Sequence, residues 1–514
     1  MALRPIVVVL ALVACSSPPP VRVEPYVDEL LQAARAAIGF DALQSHPGGF
    51  ELIGDRGDAR NTTSFRFSFD VAGRSILDLA GDRPSAEGCD GIRCWSQDPS
   101  GLVRELDFGE AERVRCEAWL RTGLWLDPWV PRFTSRIERG ASTVGRTAIA
   151  LARPDTPFRA RVWIDTETFL PLEYELSGDA RRVRLEDWTR VAGARLPRRF
   201  VHVLPEGNEV VEQVTLATPT DYPSFGPPRS HARDTEFAPA AAPDLDAALG
   251  LDGRLYVRAL LDGARPVTLL VDSGFGASAI EPALADELGW SRVGAAALSG
   301  VGGRSASGWR RSNSITLGPM SVTGLEFVEL PGTHAAEAAG FAVDGVLGAD
   351  VLSRAVFELD PELGRLRAFD SSRWERPELD WRAVRFDNAT PCVEAQFGTA
   401  APLWLRIDTG SSDSLSVAPW AVTQLKLAPS VTDLESVFLV GPFGSVRGWR
   451  GELALVELAG VRFERLAATF LDSTGRGGPL DNPWVAGNVG LPALRSTRLY
   501  LDLPRRKLAL ASSH

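Results

Sequence analysis

The stretch VTLLVDSGFGASAI, from Val267 to Ile280, decides the fold of this chain because it returns between Leu403 and Val417 as LWLRIDTGSSDSLSV. In each copy an apolar run stops at an aspartate followed by a small hydroxyl residue and a glycine. These are Asp272, Ser273 and Gly274 in the first copy, and Asp408, Thr409 and Gly410 in the second. The apolar runs read as buried strands, and each delivers one carboxylate to a glycine turn. Two such loops can face each other closely enough for their carboxylates to share one proton and one water.

From Leu255 onward the chain can be laid on itself, which is the mark of an internal repeat. LYVRALLDGARPVTLLVDSG (Leu255 to Gly274) lies over PCVEAQFGTAAPLWLRIDTG (Pro391 to Gly410), with Pro266 over Pro402 and Asp272 over Asp408. Helix-like segments follow, PALADELG and APWAVTQL, and then glycine-rich hairpins, GVGGRSASGW (Gly300 to Trp309) and VGPFGSVRGW (Val440 to Trp449). ITLGPMSVTGLEFV (Ile315 to Val328) answers VELAGVRFERLAATF (Val456 to Phe470). DGVLGADVLSRAVFELD (Asp344 to Asp360) answers AGNVGLPALRSTRLYLD (Ala486 to Asp502), with Gly345 over Gly487 and Gly348 over Gly490. Average composition supplies about 0.4 Asp-Ser/Thr-Gly triplets by chance in a chain with a few dozen aspartates, so the triplet alone is weak. Its recurrence at matched positions of a repeat makes two homologous lobes.

This arrangement resembles the retropepsin-like and pepsin-like aspartic peptidases, in particular bacterial members with two lobes fused in one chain, over residues 250–514. The resemblance implies a mainly β architecture of two tandem acid-protease β-barrel lobes, 247–372 and 373–514. It implies an aspartic-type endopeptidase in which one of Asp272 and Asp408 acts as base on a water while the other, protonated, donates to the scissile carbonyl. Which of the two is the base stays open. Ser273 and Thr409 would hydrogen-bond across the interface, with Gly274, Gly410 and Ser411 completing the loops. The two hairpins would be flaps over an extended peptide, with Val301, Gly302, Gly303, Trp309, Phe443 and Trp449 as flap or substrate-lining candidates. The sequence departs from the family pattern in Phe275-Gly276 after the first triplet, in Asn488 where lobe 1 has Val346, and in Pro492 where it has Asp350. Neither hairpin carries a tyrosine, and Val301-Gly302-Gly303 looks like a retroviral flap tip. Asp344 and Asp350 are assigned structural roles. No cofactor or metal is expected: His46, His202, His231, His334 and His514 are scattered, and no nucleophile elbow, Cys/His pairing or P-loop is present.

The rest of the chain frames this core. Its 514 residues call for two to four domains. A composition 45% hydrophobic and 24% charged is globular, and a net charge of -11 disfavours nucleic acid. Residues 1–15 carry Arg4, an apolar core from Ile6 to Val13 and then Leu12-Val13-Ala14-Cys15, which resembles a bacterial lipoprotein signal peptide and lipobox. That resemblance implies lipidation at Cys15 and, with Ser16 next, a lipid-anchored protein of the bacterial cell envelope at the outer membrane, facing the periplasm. Residues 16–25 are a proline-rich tether and 221–246 a Pro/Ala-rich linker. Between them, 26–220 opens with a helical period from Val27 to Ile38 and continues in short period-2 segments such as Ser64 to Asp70 and Arg198 to Val203. RVWIDTETFLPLEYEL (Arg161 to Leu176) and RLEDWTRVAGARLPRRFVHV (Arg184 to Val203) give this part a resemblance to LolA-like and LppX-like periplasmic lipoprotein carriers. That implies an antiparallel β half-barrel around a helix, an acyl chain or lipoprotein as partner, and Trp119, Trp125, Trp129, Trp163 and Trp188 as cavity lining or core. Cys89 and Cys94 lie close enough to form a disulfide, although with Cys116 and Cys392 three full connectivities are open. The expectation is a monomeric, membrane-anchored aspartic endopeptidase acting on a peptide or protein substrate. The alternatives are a catalytically silent two-lobed peptide-binding module or a lipoprotein or lipid carrier.

Overall fold

The computed structural model describes residues 25–57, 62–176, 181–204, 208–221, 224–229, 234–239, 241–331, 338–426, 435–441, 443–472 and 482–512. The signal segment with Cys15 and the tether up to residue 24 lie outside the described residues, as do His231, His334 and His514. The fold is mainly β, as expected.

The amino-terminal part is one 13-stranded antiparallel sheet in the form of a half-barrel. Near its middle, the strand Phe50–Gly57 pairs on one side with Thr62–Phe69 and on the other with Glu209–Pro219. The alternating Phe65, Phe67 and Phe69 bury one face of the second strand, which is what a period-2 pattern with one wet face requires. Helix α1 (Pro25–Ile38) lays Val27, Leu30, Leu31, Ala34 and Ile38 against the interior, and the short α2 (Phe40–Gln44) follows it. A third helix, α3 (Phe108–Thr122), joins them where the sequence shows no helical period. Its apolar stripe is interrupted by Glu112, Glu117 and Arg121, all buried. Arg121 pairs with the fully buried Glu212 and stacks over Phe67 and Phe200, 4.5 Å from each ring. A helix whose inward face is partly ionic hides its period from a hydrophobicity reading.

Of the five tryptophans, Trp119, Trp125 and Trp163 are buried core, Trp188 packs at its margin, and Trp129 is 81% exposed. A pocket of about 300 Å³ in this part is lined mainly by ionic groups, among them Arg56, Arg113, Arg121, Arg181, Glu117 and His202. Cys89 and Cys94 are joined across the turn between Ser85–Cys89 and Cys94–Gln97, whereas Cys116 and Cys392 are free and buried.

The segment read as a linker is partly structured. Thr235–Phe237 adds a strand beside Met320–Thr323, and Leu245 enters the lobe core. Lobe 1 is built on an 11-stranded sheet and lobe 2 on an 8-stranded sheet. A five-stranded sheet fuses them: Val356–Asp360 of the first lobe pairs with Thr497–Asp502 of the second. One apolar core runs through both lobes, joining Leu269, Val271 and Leu347 to Leu405, Ile407 and Val489. The half-barrel docks on both. Phe108 packs edge-on against Trp404 at 5.6 Å, Arg506 pairs with Asp107 at 2.6 Å, and Arg83 pairs with Glu326 at 2.6 Å.

Candidate active site

Each Asp loop is the end of an apolar strand held by a second strand running parallel to it. Arg265–Val271 pairs with Gly345–Leu347, and the Asp272 N–H donates to the Leu347 carbonyl at 3.0 Å. Leu403–Asp408 pairs in the same way with Gly487–Gly490. The matched blocks of the repeat are therefore the two strands that aim each carboxylate.

The loops then lock together. The Ser273 N–H donates to Thr409 Oγ1 at 2.9 Å, and the Thr409 N–H donates to Ser273 Oγ at 3.1 Å. Ser273 Oγ donates onward to the Ile407 carbonyl at 2.6 Å and Thr409 Oγ1 to the Val271 carbonyl at 2.8 Å. Both side chains are fully buried, so each hydroxyl serves backbone groups that water cannot reach. Gly274 and Gly410 are required by close approach. A Cβ on Gly274 would stand 2.4 Å from the Asp408 carboxyl carbon, and one on Gly410 would stand 2.2 Å from that of Asp272. Each carboxylate thus lies against the other loop. The Gly274 N–H donates to Asp272 Oδ1 at 2.8 Å, and the backbone N–H groups of Gly410 and Ser411 face Asp408.

Burial and the neighbouring Asp408 push the Asp272 carboxyl up to about 8. Burial raises Asp408 as well, opposed by the Arg406 guanidinium and by hydrogen bonds from Asp272 and the loop amides. Two buried carboxyls this close influence each other's ionisation, and the charge of Asp408 opposes that of Asp272.

Three further residues complete the site. Arg254 Nη1 donates to the Gly410 carbonyl at 3.2 Å, and Thr390 Oγ1 donates to the Gly274 carbonyl at 3.1 Å. They sit immediately before the aligned blocks, one per lobe, and each reaches across to the opposite loop. Asn488 Nδ2 donates to Asp408 Oδ2 at 3.1 Å; its only sequence signal is its difference from Val346.

The hairpins Arg292–Gly300/Gly303–Arg311 and Glu435–Gly441/Gly444–Leu458 occupy matched places. Their tips touch: a Cβ on Gly302 would fall 2.4 Å from Gly444, and one on Gly441 would fall 2.5 Å from Val301. Phe443 lies beside Gly303 at the same junction. Trp309 and Trp449 are instead at the hairpin bases. Arg83 of the half-barrel covers the Trp309 ring at 4.4 Å, and Arg447 covers Trp449 at 5.2 Å. Val301, Gly302, Gly303 and Phe443 are therefore brought together, and the two tryptophans are not.

Asp344 accepts from the Thr268 N–H at 2.8 Å, and Asp350 accepts from Ser278 Oγ at 2.8 Å; both brace strands behind the loops. A cavity of about 820 Å³ lies between the half-barrel and the lobes, lined by Trp95, Gly276, Ala277, Asp350 and Arg354 among others. Neither dyad carboxylate lines it, and its best-buried cation, Arg354, is paired with Asp234 at 2.8 Å. The described residues contain no cluster of three or more His, Cys, Asp or Glu suited to a metal ion.

Comparison with known proteins agrees with the class that this site defines. Residues 257–351, which hold the first Asp loop, the first hairpin and the strand that braces the loop, match the family model described as aspartyl protease. No curated protein matches the chain. Among solved structures, a LolA superfamily protein from Nitrosomonas europaea matches at 15% identity with a TM-score of 0.29, over 38% of this chain and 94% of that one.

Proposed function

We propose that this chain is an aspartic endopeptidase that hydrolyses peptide bonds with a water activated by Asp272 and Asp408. The observation that carries this reading is the reciprocal lock of Ser273 and Thr409, which with Gly274 and Gly410 sets each carboxylate against the opposite loop. In the reaction, the ionised carboxylate takes a proton from water as its oxygen bonds to the scissile carbonyl carbon. The protonated carboxyl gives its proton to the carbonyl oxygen, leaving a neutral gem-diol. Return of a proton to the amide nitrogen and loss of a hydroxyl proton break the C–N bond, releasing one acid and one amine and restoring a single proton to the pair. The flap tips would part to admit an extended peptide and pair with its main chain, a mode that tolerates many side chains.

The membrane anchor at Cys15 and an envelope location belong to this proposal on sequence grounds alone. The test is cleavage of a mixed peptide library, read by mass spectrometry from pH 4 to 8, by the chain lacking residues 1–20 and by its Asp272→Asn and Asp408→Asn variants. Cleavage lost in both variants supports the reading. Folded wild type that cleaves nothing would leave the two lobes as a peptide-binding module.

A further inference from the structure

The two lobes differ at the pair of residues that flanks each catalytic strand. In lobe 1, Leu270 stands opposite Val346 across the parallel strands. At the matching register in lobe 2, Arg406 stands opposite Asn488. The repeat therefore replaces an apolar pair with a cation and an amide beside only one of the two aspartates. Asn488 is 7% exposed; its Nδ2 donates to Asp408 Oδ2, and its Oδ1 has no protein partner among the described residues. Burying an amide with half its capacity unused is costly, and a site for a polar substrate or water is where that cost is tolerated. Arg406 is 3% exposed and pairs with Asp387, which also accepts from Asn482 Nδ2 at 2.7 Å.

We propose that the Arg406–Asn488 pair polarises the dyad, holding Asp408 as the carboxylate that takes the proton of water and leaving the shared proton on Asp272. The inference rests on the dyad reading above and assigns its two roles. A donor 3.1 Å from a carboxylate oxygen favours the charged form of that carboxylate. Asp272 has no such side chain from Leu270 or Val346, which belong to an apolar cluster. The cation that lowers it, Arg254, is held by Asp252 at 2.6 Å and spends another donor on the Gly410 carbonyl. Burial raises both carboxyls; Arg406 opposes the rise at Asp408 as the second-largest cause, whereas Arg254 opposes it at Asp272 only as the last. Asn488 is thus a positioning residue that acts through Asp408.

The experiment is a difference infrared titration of the full chain carrying carbon-13 carboxyl aspartate, with Asp272→Asn and Asp408→Asn marking the dyad bands. Asn488→Val installs the lobe 1 residue, and Val346→Asn gives Asp272 the same donor. The dyad ionises in two steps. Asn488→Val should raise the lower step by about one pH unit and leave the upper one in place, since Asp408 is already charged on both sides of the upper step. Val346→Asn should lower the upper step. A shift of the upper step in Asn488→Val would place the charge on Asp272 and overturn the proposal, as would no shift in either variant. Peptide cleavage by the same samples separates the two questions. Absence of cleavage counts against the endopeptidase reading, while the titration still decides the asymmetry.

Discussion

Replacing Thr409 with valine keeps the volume of the side chain and removes its hydroxyl. That hydroxyl accepts from the Ser273 N–H at 2.9 Å and donates to the Val271 carbonyl at 2.8 Å, in a position with no solvent access. The substitution leaves one buried donor and one buried acceptor without partners. At about 1–3 kcal/mol for each unsatisfied group, the lobes should lose about 2–6 kcal/mol. Because valine opens no cavity, the whole loss is assignable to the lock. Urea denaturation followed by circular dichroism measures it, with Thr423→Ala as control: that hydroxyl also bonds a carbonyl, Pro419 at 3.0 Å, but is exposed and should change stability by about 0.5 kcal/mol or less. Peptide cleavage should fall with Thr409→Val, since the two carboxylates are aligned through this contact. Stability and cleavage both within error of wild type would refute the claim that the lock positions the dyad.

Other outcomes follow from the same contacts. Gly410→Ala forces a Cβ against the Asp272 carboxyl and should reduce kcat by about 100-fold or more at unchanged secondary structure. Asp272→Asn should abolish cleavage yet stabilise the fold at neutral pH. The native carboxyl, raised toward about 8, holds a proton that the unfolded chain has released, so its contribution to stability is complete below the unfolded value of 3.8 and is lost as pH rises through the folded one. Urea midpoints of variant and wild type should therefore diverge between pH 5 and pH 8; parallel midpoints would argue against the shared proton. Phe108→Ala removes the ring that packs against Trp404 and Trp484 and should cost about 3 kcal/mol. Limited proteolysis should then release the half-barrel from the lobes more readily.

The parts of the site that lie on the repeat are legible in the sequence. An apolar strand ending in Asp-Ser/Thr-Gly carries both its buried period and its turn chemistry in adjacent residues, so Asp272, Asp408, Ser273 and Thr409 stand out once that pattern recurs at matched positions of the repeat. The bracing strands at Gly345–Leu347 and Gly487–Gly490 are visible for the same reason. What escapes such a reading depends on contacts between distant segments. Arg254 and Thr390 reach the opposite loop across the lobe interface, and nothing local distinguishes an arginine that reaches a carbonyl from one in solvent. Helix α3 is obscured by Glu112, Glu117 and Arg121, whose burial is made tolerable by partners such as Glu212 and Arg181 far along the chain. Trp309 reads as a flap residue because it ends a glycine-rich hairpin; the half-barrel arginine that covers it comes from another part of the chain. Thr235–Phe237 is too short for a period and merges with its Pro/Ala surroundings.

The central claim, that Asp272 and Asp408 act as one acid–base unit, is tested most directly by hydrolysis of a single cleaved peptide by wild type, both single Asp→Asn variants and the double variant. Each single substitution should lower kcat by about 100-fold or more, and the double variant should lose little beyond either one, as for groups that work together. Either single variant retaining more than about a tenth of wild-type kcat, or losses that multiply in the double variant, would contradict it.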